Sequence, residues 1–198
     1  MQIGDALPMA KDNLLARLET VRGNYTIGLM FCGLLRNPTT RPAITANRIF
    51  LTPTTTLVFF PGYPINLPSN EKHIELKLQG PSDLSGFDHL IDQFSTMLLR
   101  NLVLDSFELI RDYCRRTGQQ QNMKAQPWYH FARLLRNALT HDQCWGFRDA
   151  DKKIFPVYWK GKRIDQTMDG QEVRPSFFAW FDGCELFVDM YAFSESLT

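Results

Sequence analysis

The 198-residue chain has no long hydrophobic run. Nothing approaches the roughly 20 apolar residues that a membrane-spanning helix needs, so no membrane association is expected. Its first residues, MQIGDALPMAKDN, lack the basic-then-apolar order of a signal peptide, and a cytoplasmic location is the expectation. Cysteine is sparse. Cys32, Cys114, Cys144 and Cys184 lie far apart with no CxxC pair, a pattern that fits reduced thiols better than disulfides or a zinc site. An excess of charge is missing as well: 22 basic residues against 21 acidic ones leave +1 at pH 7. No global basic field announces a nucleic-acid binder, and any polyanion site must be a local patch. There is no internal repeat and no low-complexity tract. No His, Cys and carboxylate spacing suggests a ligand cluster, so no metal or cofactor is expected.

What is present is ordinary for a globular protein, with 44% hydrophobic and 22% charged residues. The length suits a single domain, residues 1–198, with a sizeable core. Leu14, Leu15, Leu18, Val21, Tyr25, Leu29 and Cys32 recur at three- and four-residue steps, which predicts a helix from about 8 to 36 that Asn37-Pro38 stops. Seven of the 11 prolines (38, 42, 53, 61, 64, 68 and 81) then fall between 38 and 81 and forbid a long helix there. Arg48–Leu51, Thr54–Phe60 and His73–Leu78 read as strands, so residues 38–81 are expected to form a small β insert.

Ser82 or Asp83 is a suitable cap for a second long helix reaching about Gly118. Its apolar residues lie on two sides, which predicts central burial or a partner chain. Near its end, Arg111, Arg115 and Arg116 complement the helix dipole or add to a phosphate-attracting rim. Residues 118–122 read as a polar loop. Between about 145 and 173 a β-hairpin is predicted, with Ile154–Trp159 as a strand, Lys160-Gly161-Lys162 as its turn and Asp169-Gly170 as a second turn. Pro175 and Ser176 then open a final helix whose aromatic residues are expected in the core. The predicted class is mainly α with small β additions.

The most informative stretch is Trp128 to His141, WYHFARLLRNALTH. On a helical wheel Trp128, Phe131, Ala132, Leu135, Ala138 and Leu139 share one apolar arc. His130, Arg133, Asn137 and His141 line the opposite side, with Arg136 and Thr140 one turn apart on its flank. Two imidazoles, two guanidinium groups and a carboxamide thus share one side of a helix.

Arg136, Asn137 and His141 resemble the signature of the HEPN superfamily, an Arg followed after four to six residues by a His, commonly with Asn next to the Arg. The order of predicted elements is compatible with the antiparallel helical bundle of that family, here with a β insert and a β-hairpin. The resemblance implies a metal-independent ribonuclease of the toxin or antiviral-defence type that acts as a homodimer. It also implies an RNA substrate and an antitoxin or inhibitor protein as partners. In such chemistry the 2′-OH of the RNA is the nucleophile, and the protein must accept and donate protons. An imidazole titrates near neutrality, so His141 suits either role. Arg136 is shaped to meet the charge growing on the phosphoryl oxygens, and Asn137 orients the imidazole or binds the phosphate. Arg133, His130 and Thr140 are the expected RNA contacts.

On a straight helix Arg136 and His141 stand about 140° apart, too far to grip one phosphate from a single face. Two copies meeting about a two-fold axis would remove the difficulty, so the spacing argues for a dimer. Many HEPN toxins have a Tyr two residues after the His, and Gln143 in that place puts this mode of control in doubt. The competing reading is a non-catalytic helical module that binds nucleic acid or a protein.

Overall fold

Two long helices dominate the secondary structure: α1 (Lys11–Arg36) and α2 (Leu84–Arg116). The computed structural model describes residues 10–41, 48–51, 57–60, 74–76, 84–141 and 143–198, with backbone alone for the three strands and for 84–87. The protein is mainly helical, with small antiparallel sheets. It divides into two compact units, Met1–Ile27 with Thr96–Thr198, and Gly28–Ser95.

In the 28–95 unit, α1 ends at Arg36, one residue before Asn37-Pro38 as expected. Strands β1 (Arg48–Leu51), β2 (Leu57–Phe60) and β3 (Ile74–Leu76) form an antiparallel sheet in the order β2-β1-β3. The outer residues of the predicted strands, 54–56, 73 and 77–78, lie outside the described residues, as do the predicted caps Ser82 and Asp83. Cys32, Leu35 and Ile91 are buried, and Arg41 pairs with Asp88 at 2.6 Å.

The larger unit holds the aromatic core. Here α1 buries Leu14, Leu18 and Tyr25, while α2 buries Leu102, Val103, Phe107 and Ile110. Gly118, at φ 72°, closes α2 by letting the Gln119 N–H reach the Cys114 carbonyl at 2.8 Å. A short helix follows directly, α3 (Gln120–Lys124), where a loop was expected. Met123 is 2% exposed, and its burial supplies an anchor that the polar composition concealed.

Helix α4 (Tyr129–Thr140) is the centre of this unit. Beyond it, residues 143–145 pair antiparallel with 170–173: Trp145 N–H bonds the Gln171 carbonyl at 2.8 Å and Val173 N–H that of Gln143 at 2.7 Å. The predicted hairpin is β4 (Val157–Trp159) and β5 (Lys162–Ile164), with Trp159 opposite Lys162. Its two-residue turn puts both Lys160 (φ 42°) and Gly161 (φ 79°) in the left-handed region, as a type I′ turn requires. Two further short elements lie within the stretch expected to be hairpin: α5 (Asp149–Lys152) and a 3-10 turn at Gln166–Met168.

The last helix, α6, is Trp180–Ser196 and so opens five residues after Pro175. The Asp182 carboxylate accepts the Ala179 N–H at 2.7 Å and fixes the start there. The aromatic run is consequently divided. Phe178 and Phe187 are buried, whereas Trp180 and Phe181 are exposed, contrary to the expectation of a wholly internal cluster. Gly183 permits a close approach to α2, since a Cβ there would come within 2.3 Å of Leu99 Cδ1.

Candidate active site

The sequence of α4 dictates its placement. Phe131, Ala132, Leu135, Ala138 and Leu139 are all buried, as the apolar arc predicts, and Leu134 joins them. Phe131 lies 5.0 Å from Trp159 of the hairpin and 6.1 Å from Phe178, while Tyr129 stacks on Phe107 of α2 at 6.0 Å. With the hairpin, α2 and the segment just before α6 all packed on this helix, its backbone is held in place. The helix itself runs shorter than the sequence suggests. Trp128 is its N-cap and His141 its C-cap, at φ −115° and ψ 82°, so the backbone leaves the helix at His141. The angle of 140° read from a straight wheel therefore does not describe His141.

The six predicted site residues form two groups. At the C-terminal end, the Arg136 Nη1 donates to Asn137 Oδ1 at 2.9 Å. The Asn137 carbonyl in turn accepts the His141 N–H at 3.2 Å. The Thr140 hydroxyl donates to the backbone carbonyls of Arg136 (2.7 Å) and Asn137 (2.9 Å), tying down the last turn. The His141 ring is exposed, and its carbonyl accepts the Cys144 N–H at 3.0 Å. Near the other end, His130 is exposed with its ring edge-on to Tyr129 at 5.2 Å. Partial burial and, after it, the charge of Arg133 push the His130 pKa below the usual imidazole range.

Both guanidinium groups already have carboxylate partners that the helix pattern could not reveal. Arg133 Nη2 lies 2.6 Å from Asp151 Oδ1, and the Asp151 side chain is only 2% exposed. Asp151 Oδ2 also accepts the Arg148 N–H at 3.0 Å, at the start of α5. Burial alone would raise the Asp151 pKa. The hydrogen bonds from Arg148 and Arg133, with the charges of both, outweigh it and hold the carboxyl below its ordinary value.

Arg136 Nη2 lies 2.5 Å from Glu108 Oε1 of α2, and Arg111 pairs with the same carboxylate through Oε2. The Arg136–Glu108 contact is an ion pair without hydrogen-bond alignment: Oε1 and the Arg136 Nε are buried atoms with no hydrogen-bond partner. Glu108 and Arg111 line an open cleft of about 520 Å³ between α1 and α2. On its wall Asp105 has its pKa raised by burial, and Asp112 pairs with Arg115 and Arg116. The arginines read as complementing the α2 dipole thus meet acids of their own helix.

Among the described residues no three His, Cys, Asp or Glu side chains gather closely enough to hold a metal ion, and no helix is long and apolar enough to cross a membrane. The four cysteines are free. Compared with family models, curated proteins and solved structures, the chain matches none.

Proposed function

We propose that the protein is a metal-independent endoribonuclease of the toxin or antiviral-defence type, resembling HEPN ribonucleases in the signature formed by Arg136, Asn137 and His141. What carries this reading is one juxtaposition at the end of α4. Asn137 holds the Arg136 guanidinium through its side chain at 2.9 Å and the His141 backbone through its carbonyl at 3.2 Å. The Arg136 guanidinium is thereby oriented, and the backbone of the same turn carries an exposed imidazole.

In the reaction the RNA 2′-oxygen attacks the adjacent phosphorus and the bond to the 5′-oxygen breaks. The 2′-OH proton passes to a base, and an acid protonates the departing oxygen, leaving a 2′,3′-cyclic phosphate. His141 takes one of these proton roles, and Arg136 offsets charge on the non-bridging oxygens. A second copy of the chain supplies the other imidazole, so a homodimer is part of the proposal. Expression in a bacterial host tests it: the wild type should arrest growth and His141→Ala should relieve the arrest. Equal toxicity of both would remove His141 from the mechanism.

One observation favours the alternative, a non-catalytic module that binds nucleic acid or a protein. The carboxylates of Asp151 and Glu108 offset both guanidinium charges of α4. On that reading the pairs only hold the fold, and His141→Ala changes nothing but a surface side chain.

A further inference from the structure

We propose that the Glu108 carboxylate stands where a substrate phosphate binds: Arg111 and Arg136 form a phosphodiester site that RNA enters by displacing Glu108. The identity of the ligand rests on the ribonuclease reading; the site itself rests on geometry.

Two guanidinium groups from two helices converge on one carboxylate, one on each of its oxygens. That is also the arrangement in which arginines grip the non-bridging oxygens of a phosphodiester. The present occupant fits imperfectly. An arginine offers Nε and Nη2 as a parallel fork, yet Glu108 meets only Nη2 of Arg136 and leaves Nε buried without a partner. Its own Oε1 lacks an aligned donor as well. Glu108 is tethered to α2 and its other oxygen is engaged by Arg111, whereas a free phosphodiester can settle against both prongs of the fork.

The Arg111 side of the site opens to solvent, and displacement of Glu108 uncovers the Arg136 side. Glu108 is 30% exposed and Arg111 is 52% exposed, both on the wall of the 520 Å³ cleft. Exchange of one anion for another leaves no guanidinium unpaired, so entry avoids the penalty of stranding a charge. Glu108, carried on a flexible side chain, can turn into the open cleft. An anion of the protein's own in this place reconciles a phosphate site with a net charge of only +1. It also sets a threshold, because weakly held anions cannot displace a tethered carboxylate.

The test uses a labelled single-stranded 2′-deoxy oligonucleotide, which presents the same phosphodiester without the attacking hydroxyl. Glu108→Gln in the full chain should bind it roughly tenfold more tightly than wild type. The slope of log affinity against log salt should steepen by about 1. Asp112→Asn adds the same charge beside Arg115 and Arg116, and it should stay within about twofold of wild type. Equal or weaker binding by Glu108→Gln, or an equal gain from Asp112→Asn, overturns the site. Should Glu108→Gln fail to fold, Arg111→Gln decides: affinity falls if Arg111 contacts phosphate, and an unchanged affinity overturns the proposal. Cleavage of the matching ribo-oligonucleotide by wild type and His141→Ala separates the two ideas. Tighter binding without cleavage retains the phosphodiester site and removes the ribonuclease. Cleavage lost in His141→Ala, with no tightening in Glu108→Gln, does the reverse.

Discussion

Arg133 of α4 holds the buried carboxylate of Asp151 at 2.6 Å, and the same carboxylate accepts the Arg148 N–H that opens α5. The pair therefore joins α4 to the segment that follows His141. Removing Arg133 leaves a nearly buried charge with one backbone donor. Because Arg133 itself is 28% exposed, water moderates the loss. Arg133→Ala should cost about 2 kcal/mol, below the value for a fully buried pair. Thermal unfolding of this variant and of Asp151→Asn checks it, and the double variant should lose less than the sum of the two.

The same pair predicts the acid side of the stability curve. The Asp151 pKa is depressed in the folded protein, so its contribution is complete above the ordinary carboxyl range and is lost as pH falls through the folded value. Wild-type Tm should therefore fall from about pH 4 downward, and Asp151→Asn should show a shallower decline over that interval. Parallel curves for the two proteins would show that Asp151 does not titrate with unfolding.

The apolar side of α4 should respond differently. Leu135 is fully buried, and Leu135→Ala should cost about 2–5 kcal/mol through lost contacts and the cavity left behind. Denaturant unfolding measures this directly. A cost below 1 kcal/mol would mean that the helix is not anchored by that face.

How much of this was legible in the sequence differs by element. The burial of Phe131, Ala132, Leu135, Ala138 and Leu139 follows from their spacing, because a helix turns every 3.6 residues whatever it packs against. The hairpin turn at Lys160-Gly161 was legible from glycine between strand-like runs. The pairing of Glu108 with Arg136 and of Asp151 with Arg133 was not, since both form through tertiary packing; only the three-residue step from Glu108 to Arg111 is local. The start of α6 was misplaced because proline marks a permissible helix opening, whereas the Asp182 side chain selects the actual one. Likewise a wheel drawn through His141 assumes helical backbone, and its ψ of 82° departs from it.

On the proposed mechanism His141 moves a proton in cleaving RNA while Arg136 steadies the phosphate. Purified wild type and His141→Ala should be incubated with a single-stranded RNA in excess EDTA, and the product ends and Tm determined. Wild type should cleave and leave 2′,3′-cyclic phosphates, and the variant should be slower by a factor of roughly 10² or more. Since His141 is exposed, its Tm should stay within about 1 °C of wild type. Full activity in a folded His141→Ala protein, or cleavage abolished by the chelator, would contradict the account.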